Sequence, residues 1–361
     1  MAGDGVNEKA NRERYRLVPH MRDYDDFVDR GYTEWLPYLM YFHRRNYRSR
    51  AINTDRLGFR ITPGTHGRLS TAGDVPLPHD VNLVVGSSTA FGVGAASDDA
   101  TVAARLSVRS GSPWLNFGAR GYNTTQELML VMLHRHLLPR VRSIVLLTGL
   151  NDLALAGLPS NRQTEYGSFF FSGEYFNQME ELRSSHREKK TIKGFGLRPR
   201  GRAPQPGHAA TPSVDERLAI AAEHLAHNLD NWRALAREME ARIVFAMQPL
   251  ATWVHKSRAP EEQRLFDELD ARSSSFWRLF GPIADAQVGA DYRARISSVC
   301  ETRGIGFLDL NARIGEEATS DEWLFVDRAH FNDAGYDLLA RIVAGSLDSL
   351  EERRLGRDVP A

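Results

Sequence analysis

The chain has 361 residues, of which 42% are hydrophobic and 25% charged, an ordinary balance that excludes disordered, collagen-like and fibrous proteins. Lys+Arg and Asp+Glu both number 46, so no bulk charge points to nucleic acid or an anionic membrane as partner. One cysteine, Cys300, excludes an internal disulfide framework and any multi-cysteine metal site. No apolar run approaches the roughly 18 residues of a membrane span. The first residues, MAGDGVNEKANRERYR, lack the apolar centre of a secretory signal. The expectation is a soluble, cytoplasmic protein.

In chain order, residues 1–79 are rich in Arg, Tyr, Asp and Pro without sustained periodicity. They read as an N-terminal extension packed on a core domain that spans 80–350. Within it, EWLPYLMYFHRR predicts a short helix, and ITPGTHGRLSTAGDVPLPHD a loop. Short apolar runs follow, each bounded by Gly, Asn or Pro: VNLVVG (81–86), PWLNFG (113–118), SIVLLTG (143–149), RIVFAMQP (242–249) and IGFLDL (305–310). Runs such as LVV and IVLL are apolar without alternation, the pattern of strands covered on both faces.

Helix-compatible stretches separate these runs: DDATVAARLSVR, TTQELMLVMLHRHLL, VDERLAIAAEHLAHNLDNWRALAREME and DYRARISSVCETR. DAGYDLLARIVAGSLDSLEERR closes the series. Such alternation predicts an α/β fold, a three-layer α/β/α arrangement around an open, doubly wound parallel sheet of five strands, flavodoxin-like in type. One connection breaks the rhythm. About 60 residues, 153–213, follow the third strand, against a usual connection of roughly 2–6. This insertion holds the aromatic cluster GSFFFSGEYF, the basic run RSSHREKKTIKGFGLRPRGR and the tract APQPGHAATP. It reads as a lid over a site or as a linker.

Ligands of open parallel sheets bind beyond the carboxyl ends of the strands. Those ends carry Gly86-Ser87-Ser88-Thr89, Gly118-Ala119-Arg120-Gly121 and Gly149-Leu150-Asn151-Asp152, while Asp327-Arg328-Ala329-His330 precedes the last helix. Together they offer a hydroxyl nucleophile, a tight glycine turn, a side-chain amide, and an imidazole with a carboxylate three residues before it. Acyl transfer needs these parts. Serine requires a base to take its proton, and the tetrahedral intermediate requires hydrogen-bond donors at its oxyanion. An Asp beside the His fixes the imidazole tautomer.

The order Gly-x-Ser, Asn-x-Gly-x-x-Gly, Gly-x-Asn-Asp and Asp-x-x-His resembles the four sequence blocks of the SGNH (GDSL-type) hydrolase superfamily. The resemblance covers about residues 80–345 without the insertion. Each block alone is weak, and all four in order at strand ends are a strong signal. The stretch VVGSSTAFGVGAASDDATVAARL with NFGARGYNTTQEL is also similar to a bacterial subgroup of that superfamily that carries Gly-x-Ser-Thr. Carried over by position, the resemblance implies Ser88 as nucleophile, His330 as base and Asp327 as the acid that orients it. It further implies an oxyanion hole of the Gly121 N–H, the Asn151 side chain and the Ser88 N–H. The superfamily usually has Asp before its Ser and Leu after it. Here Ser87 and Thr89 stand there, which makes Ser87 a neighbouring competitor for the nucleophile's role.

Blander roles stand beside these. Ser88 and Asn151 are also helix-cap types, Gly121 an ordinary turn residue, His330 a core or surface histidine, and Asp152 a structural carboxylate. Asn332 or Asp333 is a natural N-cap for the last helix, which leaves His330 on the loop before it. Other constellations are incomplete. Gly92-Val93-Gly94 lacks the third glycine of a dinucleotide fingerprint, Ser97 standing in its place. No lysine lies between Lys9 and Lys189 to serve a phosphate loop. His224 and His227, with Glu223, share a helical face but lack a further convergent ligand, so no metal is expected.

The expected function is therefore a serine esterase, without metal or organic cofactor, acting on an O-acyl ester of a sugar or other small polar molecule. No nucleic-acid or membrane partner is expected, and the oligomeric state is not in the sequence. Two alternatives stay open: an O-acyltransferase using the same site, and a non-catalytic carbohydrate-binding or scaffold protein on a hydrolase fold.

Overall fold

Unbroken apolar runs become strands when helices cover both faces of the sheet, and this constraint organises the chain. The structure, a computed structural model, describes residues 12–28, 34–64, 69–73, 76–192, 210–271 and 279–357. Two helices come first, α1 (Arg12–Leu17) and α2 (Met21–Val28). Two antiparallel ribbons follow, β1 (Glu34–Leu36) with β2 (Met40–Phe42) and β3 (Thr62–Pro63) with β4 (Leu69–Ser70). The alternating part starts with β5 (Asp80–Gly86), α3 (Ser88–Phe91), α4 (Val102–Ser110), β6 (Trp114–Gly118) and α5 (Thr124–His134). It continues through β7 (Arg140–Thr148), α6 (Leu150–Leu155), α7 (Ser172–Ile192), α8 (Val214–Glu238) and β8 (Arg242–Met247). The last elements are α9 (Pro260–Asp270), α10 (Ala286–Glu301), β9 (Gly306–Asp309), α11 (Leu310–Glu317) and α12 (Asp333–Arg357).

The central sheet has five parallel strands in the order β6-β5-β7-β8-β9, the doubly wound order expected from the sequence. Strand side chains alternate between its faces. Val81, Leu83 and Val85 join one core with Leu128, Leu130, Leu225 and Tyr292 from α5, α8 and α10. Val84, Val145 and Ala246 face the other, with Leu106, Phe266, Ile314 and Leu339 from α4, α9, α11 and α12. Among the described residues no helix is long and apolar enough to cross a membrane.

The extension contributes to both cores. Tyr24 and Phe27 of α2 enter the second, and Phe27 stacks on Phe91 of α3 at 5.5 Å. Leu39, Tyr41, Phe42 and Phe59 enter the first. The helix expected around EWLPYLMYFHRR is corrected: β1 and β2 pair there, with Trp35 opposite Tyr41. Pro37 explains it, because proline inside a helix removes a backbone donor and clashes with the preceding turn. Tyr38 and Met40 both sit at φ 70, which closes the ribbon. In the insertion, α7 takes up Tyr175, Phe176 and the start of the basic run, and residues 193–209 lie outside the described residues.

Close contact at the strand ends positions the candidate site. Gly118 ends β6 beside Gly86 of β5. A Cβ added at Gly118 would stand 2.0 Å from the Phe91 nitrogen of α3. Gly118→Ala should therefore push α3 off the sheet, costing about 1–3 kcal/mol or more and lowering Tm by roughly 3–10 °C. Gly345, in the exposed middle of α12 with nothing within 4 Å of an added Cβ, is the control. Gly345→Ala should hold or raise Tm through helix propensity. Thermal melts of both variants check this, and equal Tm values would contradict the close packing at Gly118.

Candidate active site

Each block named from the sequence falls where the sheet ends. Ser88 opens α3 directly after β5. Asn151 lies in the first turn of α6 after β7. Gly121 follows β6 at φ 73, a left-handed conformation that glycine adopts without strain. His330 and Asp327 lie on the loop before α12, where Asn332 rather than Asp333 caps the helix by accepting the Gly335 N–H at 2.9 Å. That loop is itself anchored. Buried Glu262 accepts the Leu324 and Phe325 N–H groups at 2.9 and 3.1 Å and pairs with Lys256 at 2.8 Å. Thr89 Oγ1 donates to the Ala329 carbonyl at 3.1 Å, tying α3 to the histidine loop.

Three of the predicted residues form one hydrogen-bonded chain. His330 Nε2 lies 2.7 Å from Ser88 Oγ, and His330 Nδ1 lies 2.7 Å from Asp327 Oδ2. An ionised carboxylate only accepts, so Nδ1 carries the proton and donates it, and Nε2 is left to accept from the Ser88 hydroxyl. Asp327 Oδ1 also accepts the Ala329 and His330 N–H groups, both at 2.8 Å. Burial alone would raise the Asp327 carboxyl. His330 and the Ala329 N–H more than offset this and hold it below the ordinary carboxylate value. His330 and Asp327 retain 18% and 26% of their side-chain surface, so the chain opens to solvent.

Ser87 is turned away. It is 1% exposed, and its Oγ donates to Gln248 Oε1 at 2.7 Å. After the neighbouring strand β7, the Asn151 amide donates one N–H to the Tyr122 carbonyl at 2.8 Å. None of the described residues accepts its second N–H or the backbone N–H of Gly121 or Ser88. Those three donors can receive a developing oxyanion.

The loop that presents Gly121 is braced by residues the sequence reading passed over. Tyr41 Oη donates to the Gly121 carbonyl at 2.9 Å, and Tyr122 Oη donates to the Tyr41 carbonyl. His43 Nε2 accepts the Arg120 N–H at 3.1 Å. Burial, with the nearby Arg120 charge, pulls His43 down to about 3, so it accepts as neutral imidazole. No motif marked Tyr41 and His43, because they come from the β2 region of the extension. The insertion's aromatics also reach this loop: Phe170 would lie 3.4 Å from a Cβ at Gly121, and Phe171 packs edge-on against Tyr41 at 5.6 Å. Phe169, Tyr175 and Phe176 form a ring cluster of their own. No group of three or more His, Cys, Asp or Glu among the described residues is arranged to hold a metal ion.

The sequence matches the model of the GDSL-like Lipase/Acylhydrolase family over residues 84–338, a span that holds all five predicted site residues. No curated protein matches it. Among solved structures, it is similar to the lipase/acylhydrolase from Enterococcus faecalis at 12% identity and a TM-score of 0.40, covering 75% of this chain and 96% of that one. The extracellular lipase from Streptomyces rimosus is similar at 15% identity and a TM-score of 0.40, covering 75% and 99% of the two chains. An acetyl xylan esterase is similar at 12% identity and a TM-score of 0.37, covering 74% and 98%.

Behind Asn151 lies a buried acidic pair. Asp152 accepts from Thr124 Oγ1 at 2.6 Å, and burial, opposed in part by Thr124, pushes its carboxyl up to about 6. Glu127, fully buried, accepts from Thr148 Oγ1 at 2.8 Å. Burial and the neighbouring Asp152 push it up as well. Between the ordinary carboxyl value and about 6, folded Asp152 holds a proton that the unfolded chain has released. Stability from this group is therefore present at low pH and lost as pH rises through that window. Asp152→Asn removes the titration. The Tm difference, variant minus wild type, should grow more positive between about pH 4.5 and 7, measured by scanning fluorimetry. A difference constant with pH would contradict the raised Asp152 carboxyl.

Proposed function

Because the chain belongs to the GDSL-like lipase/acylhydrolase family, a family of ester-bond hydrolases, we propose that it is a serine esterase working through a Ser88 acyl-enzyme. His330 takes the Ser88 proton as the oxygen attacks the ester carbonyl, and Asp327 holds the imidazole and stabilises the imidazolium. The oxyanion rests on the N–H groups of Gly121 and Ser88 and on the Asn151 amide. His330 then protonates the leaving alkoxide, and water releases the acyl group by the same route. The observation that carries this reading is the Asp327–His330–Ser88 chain, with both imidazole contacts at 2.7 Å. Substrate is proposed to be an O-acyl ester of a sugar or other polar metabolite. The aromatic side chains beside Gly121 support that class, since rings of this kind cover apolar sugar faces.

Turnover of 4-nitrophenyl acetate tests the roles. Ser88→Ala should lose up to about 10⁶-fold in kcat, because serine and histidine act as a unit. Asn151→Ala should lose about 10²–10³-fold in kcat with little change in KM, the scale of one oxyanion donor. Ser87→Ala should retain most turnover. Loss in Ser87→Ala with survival in Ser88→Ala would move the nucleophile by one residue. A rise in KM alone for Asn151→Ala would make it a ground-state binding group.

A further inference from the structure

Arg120 immediately precedes Gly121, so consecutive Cα atoms put it about 3.8 Å along the chain from a proposed oxyanion donor. Its backbone is clamped by the Arg120 N–H to His43 bond of 3.1 Å. Its side chain is not satisfied. Nε is buried without a hydrogen-bond partner, and the guanidinium forms no ion pair or hydrogen bond with any described residue. The fully buried Arg60 provides the contrast. It pairs with Asp98 at 2.7 Å and donates to the carbonyls of Ala51, Phe91 and Gly92 and to Tyr24 Oη.

The charged side chains that act on Arg120 are Asp25 and Arg14, with the neutral phenols of Tyr24 and Tyr41 nearby. The one carboxylate among them is engaged elsewhere. Asp25 pairs with Arg14 at 2.5 Å and accepts from Tyr15 Oη at 2.6 Å. Arg14 acts electrostatically on Asp327 as well as on Arg120. Burial pulls the guanidinium down to about 10, and it still carries its charge at neutral pH. The side chain as a whole is half-buried, with its Nε enclosed, so the head meets solvent and is open to a counter-charge brought by a ligand. The planar fork of an arginine is matched by a carboxylate, which takes two parallel N–H donors at once.

We propose that the ester attacked by Ser88 carries a carboxylate and that Arg120 binds it, so that the substrate is an acidic ester. This rests on the esterase reading above and narrows its substrate class. The carboxylate can sit on either side of the scissile bond, and the test separates the two. On the acyl side, 4-nitrophenyl hemiglutarate is compared with 4-nitrophenyl acetate. On the alcohol side, 4-acetoxybenzoate is compared with 4-acetoxybenzamide. For one pair, wild type should favour the acidic ester in kcat/KM by about tenfold or more, the scale of a charged hydrogen bond. Arg120→Gln should remove that preference mainly through KM, while Arg120→Lys keeps the charge, loses the fork and falls between. Taking the ratio within each variant cancels any general loss.

Binding gives a readout apart from turnover. The Ser88→Ala protein, titrated calorimetrically with the preferred acidic ester, should bind it, and the Ser88→Ala, Arg120→Gln double variant should bind at least about tenfold more weakly. Equal kcat/KM within both pairs in wild type would overturn the proposal. So would an acidic preference that persists in folded Arg120→Gln and Arg120→Lys. Failure of the esterase reading looks different: neither pair would then show Ser88-dependent turnover, while glutarate and 4-hydroxybenzoate, titrated calorimetrically into wild type and Arg120→Gln, would still report on Arg120.

Discussion

Serine can meet a base from the far end of the chain only if the helix that carries it is pressed onto the ends of its strands. Here α3 packs so closely on β6 that a single methyl at Gly118 would collide with the Phe91 nitrogen. The Asn116 side chain tightens the same junction, accepting the Gly118 N–H at 2.9 Å and donating to the Phe91 carbonyl at 3.2 Å. With α3 seated in this way, Ser88 reaches a histidine 242 residues later in sequence. The sheet order sets the rest. β5 lies between β6 and β7, so the loops after these three strands bring Ser88, Gly121 and Asn151 to one edge of the structure.

The N-terminal extension is part of this arrangement. Arg60 takes the Phe91 and Gly92 carbonyls at the end of α3, and Tyr24 Oη donates to Gly92 from a second direction at 2.7 Å. These groups satisfy carbonyls that the short helix leaves without intrahelical donors. Tyr41 and His43 hold the Gly121 loop from the other side. An imidazole kept neutral by burial is suited to that task, because it can accept the Arg120 N–H without repelling the neighbouring guanidinium. The extension thus braces both the segment bearing the serine and the loop bearing Gly121.

The sheet was legible in the sequence because strands covered on both faces leave a blunt signature, uninterrupted apolar runs that end in Gly, Asn or Pro. Of the candidate residues, Ser88, Gly121 and Asn151 were legible because each sits within a few residues of such an end, and Asp327 and His330 through their Asp-x-x-His spacing before the last helix. Local patterns reached no further. The EWLPYLMYFHRR segment has helical composition, yet Pro37 and two left-handed residues turn it into a ribbon. The helices α9 and α11 went unseen, since α9 lies in a polar stretch and α11 begins within the apolar run of β9. Tyr41, His43 and Arg60 carry no motif, and Arg120 stands at an unconstrained position inside the Asn-x-Gly-x-x-Gly block. Their roles come from contacts with residues far along the chain, and those contacts exist only once the sheet has formed.

The account turns on one activated hydroxyl, and a fluorophosphonate reads it directly, because such reagents phosphonylate a serine whose proton a neighbouring base can remove. Intact-mass analysis of the reacted protein, followed by peptide mapping, should find a single adduct on Ser88 and none in Ser88→Ala. An adduct on Ser87 or on another serine, or no adduct in folded wild-type protein, would contradict the Asp327–His330–Ser88 relay as the reactive centre.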